Sequence, residues 1–380
     1  MPQRNAAELS VGLLTPSYFP IVGGTETHVR YLVTGLKNRG ISSQVITLCD
    51  TRKWEASKAL KHKTLDEDVV VWPSFRVGKS APLTRVHYIP NLLLQLRDHM
   101  NKFDLLHFHD DCDLSFPLSL SGVKRPRIFT CHTLTYNLSF YRRQPLSRRL
   151  FVHSADLFHV LSKYDARNLA ALGVEGNKIR VIPHWIDINR FGKRRNDYSH
   201  DSVRIVWAGR IERAKGLMVL LKAVNLLRNE FQHLELLIGG RVWDPIYFGE
   251  LINYKNGVNL EEAIFTGFVR DLSSFLHRAD IFVFPSLTEV FGITILEAMA
   301  ASLPVVASSV GAVPDIIADN YTGFLVPAGD SVELAHKLRP LIADSKLRRR
   351  MGRRGRERVE SLFSVEKVFP SVLQMYHELF

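Results

Sequence analysis

Short apolar runs recur along the chain, each followed by a polar loop and then by a stretch with helical spacing. Residues 11–15, 45–48, 105–108, 128–130, 157–160 and 179–182 are predicted strands. Several are continuously apolar, the pattern of parallel strands covered on both faces. After the first run, Thr25 reads as the N-cap of a helix to about Asn38, stopped near Gly40. Residues 186–201 are polar, without periodicity, and read as a linker. The alternation then restarts, with strands predicted at 203–208, 234–238, 263–265, 281–284, 305–307 and 324–326, and helices at 216–228 and about 294–301. Two such arrays imply two doubly wound α/β domains facing across a cleft, at 1–190 and 200–362. A last helix at about 365–380 is detached from the second array and is expected to pack back on the first.

Length agrees, since 380 residues exceed one ordinary core. No apolar run reaches the ~18–20 residues that cross a bilayer. The first eight residues lack the apolar core of a secretory signal, so a cytoplasmic location is expected. Cys49, Cys112 and Cys131 are odd in number and form no C-x-x-C pair, which points to reduced thiols. The net charge of +12 calls for an anionic partner. One basic cluster holds Lys124, Arg125, Arg127, Arg142, Arg143, Arg148 and Arg149; the other runs from 346 to 358. Each also fits a solvated helix face. No zinc finger, RNA-binding aromatic signature or basic zipper accompanies them, which argues against nucleic acid. Phe140, Tyr141, Leu146 and Leu150 interleave the first cluster, which suits peripheral binding to an anionic membrane surface at its inner face.

Ligands of open parallel sheets bind beyond the carboxyl ends of the strands, and the candidate chemistry concentrates there. Gly209-Arg-Ile-Glu-Arg-Ala-Lys-Gly216 follows one strand; Arg210 and Lys215 together suit a diphosphate, although the segment also fits a helix start with surface charges. Glu289 to Glu297 follows another. There a helix N-terminus at Phe291, Gly292 and Ile293 suits an anion, and the two carboxylates suit hydroxyls. An acidic first turn stabilised by the helix dipole fits equally. Gly23-Gly24 allows a loop close to a ligand, but is neither G-x-G-x-x-G nor a Walker motif. His109 and His132 end two predicted strands, where either could donate to a sugar hydroxyl or act as a base. Asp111-Cys-Asp113 is a bare D-x-D match without a second ligand cluster, so no metal site is assigned. Neither G-x-S-x-G nor H-E-x-x-H is present.

Taken in order, these motifs resemble family-four retaining glycosyltransferases of the GT-B fold. The resemblance spans nearly the whole chain. It rests on Gly23-Gly24, TCHT around His132, GRIERAKG at 209–216, TGFV at 266–269, PSLTEVFGITILEAMAASLPVVAS at 285–308, GAVPDII at 311–317 and GFLVPAGD at 323–330. It implies two Rossmann-like domains, the first binding an acceptor and the second a nucleotide sugar. Arg210 and Lys215 would hold the diphosphate, Val269 would lie by the base, and Glu297 would bond the ribose. Glu289 with residues Phe291, Gly292, Ile293 and Thr294 would hold the donor sugar, which His132 would contact, and Gly23-Gly24 would cover the phosphates. The implied reaction moves a hexose from UDP or GDP to a hydroxyl of a glycan, lipid or small molecule, with retention and with neither cofactor nor metal. The chain departs from the family pattern at His184-Trp185, Val290 and Asp315, which bear on donor choice. A sugar-nucleotide epimerase, a phosphorylase carrying pyridoxal phosphate and a non-catalytic glycan-binding relative are the competing readings. Retention of Arg210, Lys215 and Glu289 favours transfer.

Overall fold

The structure is a computed structural model that describes residues 9–16, 18, 23–50, 69–76, 85–86, 97–109, 122–132, 134–192 and 202–380. The chain divides into two compact units, Met1–His184 with Val368–Phe380, and Trp185–Lys367.

In the first unit, the strands are β1 (Ser10–Thr15), β2 (Ser42–Asp50), β3 (Val69–Arg76), β4 (Arg85–Val86), β5 (Leu105–His109), β6 (Arg127–Thr130), β7 (Leu157–Val160) and β8 (Ile179–Val181). They order as β4-β3-β2-β1-β5-β6-β7-β8. β3 and β4 pair antiparallel, and the other neighbours are parallel. The described helices are α1 (Gly24–Lys37), α2 (Leu134–Arg143), α3 (Pro145–Val152) and α4 (Lys163–Leu172). Sheet order reverses between β1 and β5. Phe108 and Phe129 stack at 4.6 Å in the core, with Leu14, Phe158 and Val160 beside them.

Two expectations change here. The N-cap of α1 is Gly23, not Thr25: the extended Gly23 starts the helix and its carbonyl accepts from Thr27, which leaves Thr25 inside the first turn. Strands β3 and β4 add to the six expected in this unit; Pro73 within β3 argues against a strand from sequence alone.

In the second unit, β9 (Val203–Ala208), β10 (Leu234–Gly239), β11 (Ala263–Gly267), β12 (Ile281–Phe284), β13 (Val305–Ser308) and β14 (Gly323–Val326) order as β11-β10-β9-β12-β13-β14. All pairs are parallel. The helices are α5 (Leu217–Leu227), α6 (Pro245–Gly257), α7 (Leu272–His277), α8 (Ile293–Ala300), α9 (Val313–Ile316), α10 (Ser331–Ala343) and α11 (Ser345–Leu362). Helix α5 buries Leu217, Leu220, Leu221, Val224 and Leu227 completely in the core. Each such side chain stabilises by about 1.5–3 kcal/mol relative to exposure.

Helix α11 departs from the solvated face that its charge suggests. Arg348 is buried and donates to the carbonyls of Leu341 and Ile342. Arg356 reaches the carbonyl of Ala300, and Arg358 those of Ile316 and Asp315. These arginines cap chain segments that lack a helical or sheet partner. The final helix, α12 (Val365–His377), leaves the second unit and packs into the first. A Cβ at Gly35 would lie 2.1 Å from Phe369, so only glycine admits that ring. Tyr376 Oη meets His107 Nδ1 at 2.7 Å, and Arg180 Nε donates to Glu378.

Among the described residues, no helix is long and apolar enough to cross a membrane.

Candidate active site

Strand order in the second unit reverses between β9 and β12, which places a ligand crevice beyond their carboxyl ends. The segment 209–216 leaves β9 at that edge, and 285–293 leaves β12 beside it. Backbone contacts join the two: Leu287 N–H donates to Ala214 O at 2.8 Å. Gly216, at φ +68°, makes the approach feasible, since a Cβ there would sit 1.9 Å from Pro285 O. On the other side, a Cβ at Gly311 (φ +54°) would lie 2.0 Å from Glu289 O. Ala312 N–H donates to Val290 O. The backbone of Glu289 is thus held from two directions.

That clamp aligns Lys215 with Glu289. Lys215 Nζ donates to Glu289 Oε2 at 2.7 Å, and Val290 N–H donates to Oε1 at 3.1 Å. The side chains are only 15% and 13% exposed, so each charge depends on the other. Arg210 stands apart from this pair in its contacts. Its guanidinium meets Glu212 at 3.0 Å and lies 5.2 Å from the Trp243 ring. Gly292 caps α8, Ile293 opens it and Thr294 is half-buried in its first turn, where N–H groups lack intrahelical acceptors. Glu297 lies one turn inside α8 and is 6% exposed. Burial pushes its carboxyl up to about 7, and the charge of Arg190 opposes the rise. Val269 follows β11, packed so tightly on β10 that a Cβ at Gly239 would be 2.4 Å from it.

In the first unit, Gly23 and Gly24 open α1, while residues 19–22 of the same loop lie outside the described residues. His132 follows β6 and is buried at 7% exposure. Burial, with His159 nearby, holds its imidazole down at about 3. Such a group stays neutral at pH 7 and takes up a proton poorly. His109 Nδ1 lies 3.3 Å from His132 Nε2. Around them gather His28, His107, His159 and His184, all buried, which sequence reading did not assemble. They come from α1, two strands and the segment before Trp185, and no periodicity in one element signals that convergence. Arg190 and Trp243 were missed for the same reason. The D-x-D at 111–113, including Cys112, lies outside the described residues. Cys131 is buried in the core of the first unit.

The membrane expectation changes in detail. Tyr141 is a core residue stacked on Phe151 at 4.7 Å, and Phe140 packs on the same core. Arg125 and Arg127 donate to the carbonyls of Asn101 and Val123. What stays exposed is Lys124 and, around Leu146, itself 71% exposed, Arg142, Arg143, Arg148 and Arg149.

Residues 191–358 match the family model for glycosyl transferases group 1, and residues 22–190 match that for glycosyltransferase family 4. The chain belongs to the family-four glycosyltransferases. A D-inositol 3-phosphate glycosyltransferase of Paenarthrobacter aurescens is 28% identical over 94% of this chain and 93% of the relative. A phosphatidyl-myo-inositol mannosyltransferase of Mycobacterium leprae is 28% identical over 92% of each. Among solved structures, Anabaena HepE in complex with UDP and glucose superposes with a TM-score of 0.78 at 20% identity, over 98% of this chain and 100% of that one. Sucrose-phosphate synthase of Thermosynechococcus elongatus gives 0.74 at 22% identity, over 98% and 99%. Both share the two-domain α/β GT-B fold. This family-four member is therefore a sugar-transferring enzyme.

Proposed function

We propose that this glycosyltransferase moves a hexose from a nucleoside diphosphate sugar to a hydroxyl acceptor, with retention and without a metal. The observation that carries the reading is the Lys215–Glu289 pair at the switch point of the second unit. A cation beside a carboxylate and a helix N-terminus matches a sugar diphosphate, which offers negative charge and hydroxyls together. In this reading Lys215 and Arg210 take the diphosphate, and Glu289 with the α8 N-terminus takes the sugar. Glu297 bonds the ribose, Val269 lies by the base, and residues 200–362 form the donor domain. The resemblance assigns residues 1–190 to the acceptor, Gly23-Gly24 to the phosphates and His132 to the donor sugar. UDP is the favoured nucleotide, because HepE binds UDP and UDP-glucose. The inositol-phosphate and phosphatidylinositol relatives favour a polar or lipid-linked acceptor, and the exposed arginines around Leu146 suit an anionic membrane surface.

As the sugar–phosphate bond breaks, charge grows on the departing diphosphate, and two fixed cations stabilise it without a divalent ion. The acceptor oxygen attacks the oxocarbenium-like sugar from the face the diphosphate leaves. Its proton passes to the departing phosphate oxygen. Lys215→Ala should lower turnover about 10²-fold, as loss of one transition-state donor does, with wild-type turnover surviving EDTA. Transfer assays with UDP- and GDP-sugars check this; unchanged turnover in the variant removes Lys215 from the diphosphate, and abolition by EDTA removes metal independence.

A further inference from the structure

Six buried histidines, His28, His107, His109, His132, His159 and His184, gather in the first unit. His107 bridges Tyr376 Oη (2.7 Å) and Thr130 Oγ1 (2.6 Å), and Thr130 meets His159 Nδ1 at 2.8 Å. His159 Nε2 meets Ile182 O at 2.7 Å. That half of the cluster is a closed hydrogen-bonded chain. The other half differs. His28 (α1), His109 (β5) and His132 (after β6) bring one ligand nitrogen each within 4.8 Å of one another.

We propose that His28, His109 and His132 form a zinc-binding site whose occupancy inhibits sugar transfer. Two magnitudes favour it. The 3.3 Å between His109 Nδ1 and His132 Nε2 is longer than the usual ~2.9–3.0 Å hydrogen bond, yet it is the edge of a tetrahedron with metal–nitrogen bonds of about 2.0–2.1 Å. The wider separations close by rotation of rings whose centroids are 5.0–5.6 Å apart. The ligand chemistry also suits the ion. Three neutral imidazoles are borderline donors that favour zinc over magnesium or calcium. His28 Nδ1 lies 2.6 Å from His184 Nδ1, which orients the ring as outer-shell partners of metal-bound histidines do. With three protein ligands the fourth position stays open to water.

Coordination consumes the His132 lone pair, so the ion withdraws that side chain from the donor sugar; this consequence rests on the functional reading above, whereas binding does not. The site is thus regulatory, and the transfer itself remains metal-free.

Equilibrium dialysis of the full chain against zinc chloride, followed by metal analysis, should find one zinc per chain. His109→Gln and His28→Gln should each weaken it about tenfold or more. His336→Gln, on the exposed face of α10, should leave it unchanged. Should the buried variants fail to fold, cobalt(II) added to the wild-type protein should give a tetrahedral ligand-field band that equimolar zinc bleaches. Zinc should also suppress turnover, and EDTA should restore it. Zinc absent after dialysis, zinc retained equally by the His109 variant, or no tetrahedral cobalt band would overturn the site. Zinc bound with turnover unaffected would overturn the inhibition. Absence of transfer from every donor without zinc would instead count against the functional reading.

Discussion

Replacing Gly216 with alanine tests how the donor segments are built. The new Cβ would sit 1.9 Å from Pro285 O, where real contacts stay above 3.0 Å, so one backbone must move by about 1 Å. The left-handed φ of +68° adds a penalty of about 1 kcal/mol for a residue with a Cβ. Overpacking of this kind costs about 1–3 kcal/mol, which brings the sum to about 3 kcal/mol. For a unit the size of Trp185–Lys367, each kcal/mol lowers Tm by about 2–4 °C, so its transition should fall by about 6–12 °C. The movement also parts Lys215 from Glu289, and a 1 Å misplacement costs on the order of 10²-fold in turnover. Gly249→Ala is the control. It lies in the interior of α6 with nothing within 4 Å of its Cβ position, and alanine there should be neutral or stabilise by about 0.5–1 kcal/mol. Melting curves and donor turnover of both variants decide the matter. A Gly216→Ala protein that melts within about 1 °C of wild type and turns over normally would refute the close approach of the two segments.

Two further outcomes are expected. Burial raises Glu297 to about 7 from 4.5, so between those values the folded protein holds a proton that the unfolded chain has lost. Its contribution to stability is therefore present below pH 4.5 and is lost as pH rises toward 7. Glu297→Gln should gain about 2 kcal/mol relative to wild type between pH 5 and 7.5, read by denaturant unfolding; a pH-independent difference would place the carboxyl in water. Replacing Arg142, Arg143, Arg148 and Arg149 with glutamine should reduce co-sedimentation with phosphatidylserine vesicles in a salt-dependent way, because all four are exposed around Leu146. Equal sedimentation would leave them as surface charge.

Much of this protein was written locally. Strands such as 203–208 and 281–284 were legible as they stand, because a parallel strand buried on both faces must be continuously apolar and bounded by turn residues. The order of GRIERAKG and the 285–308 segment identified the family, since each stretch supplies a strand end, a loop and a helix start within a few residues. Local pattern also misled where a neighbour decided the outcome. The C-terminal arginines look solvated in sequence, yet Arg348 is buried because unpaired carbonyls at the end of α10 require donors. Tyr141 looks like a membrane anchor and is core, since the Phe151 ring lies against it.

Tertiary structure alone decided which charges meet and which histidines cluster. Lys215 and Glu289 are 74 residues apart and touch because β9 and β12 are adjacent at the point where sheet order reverses. His28 and His184 are 156 apart. Periodicity reports which face of an element is buried; it carries no information about which element covers that face. Side-chain chemistry was set by composition, and its coordination by topology.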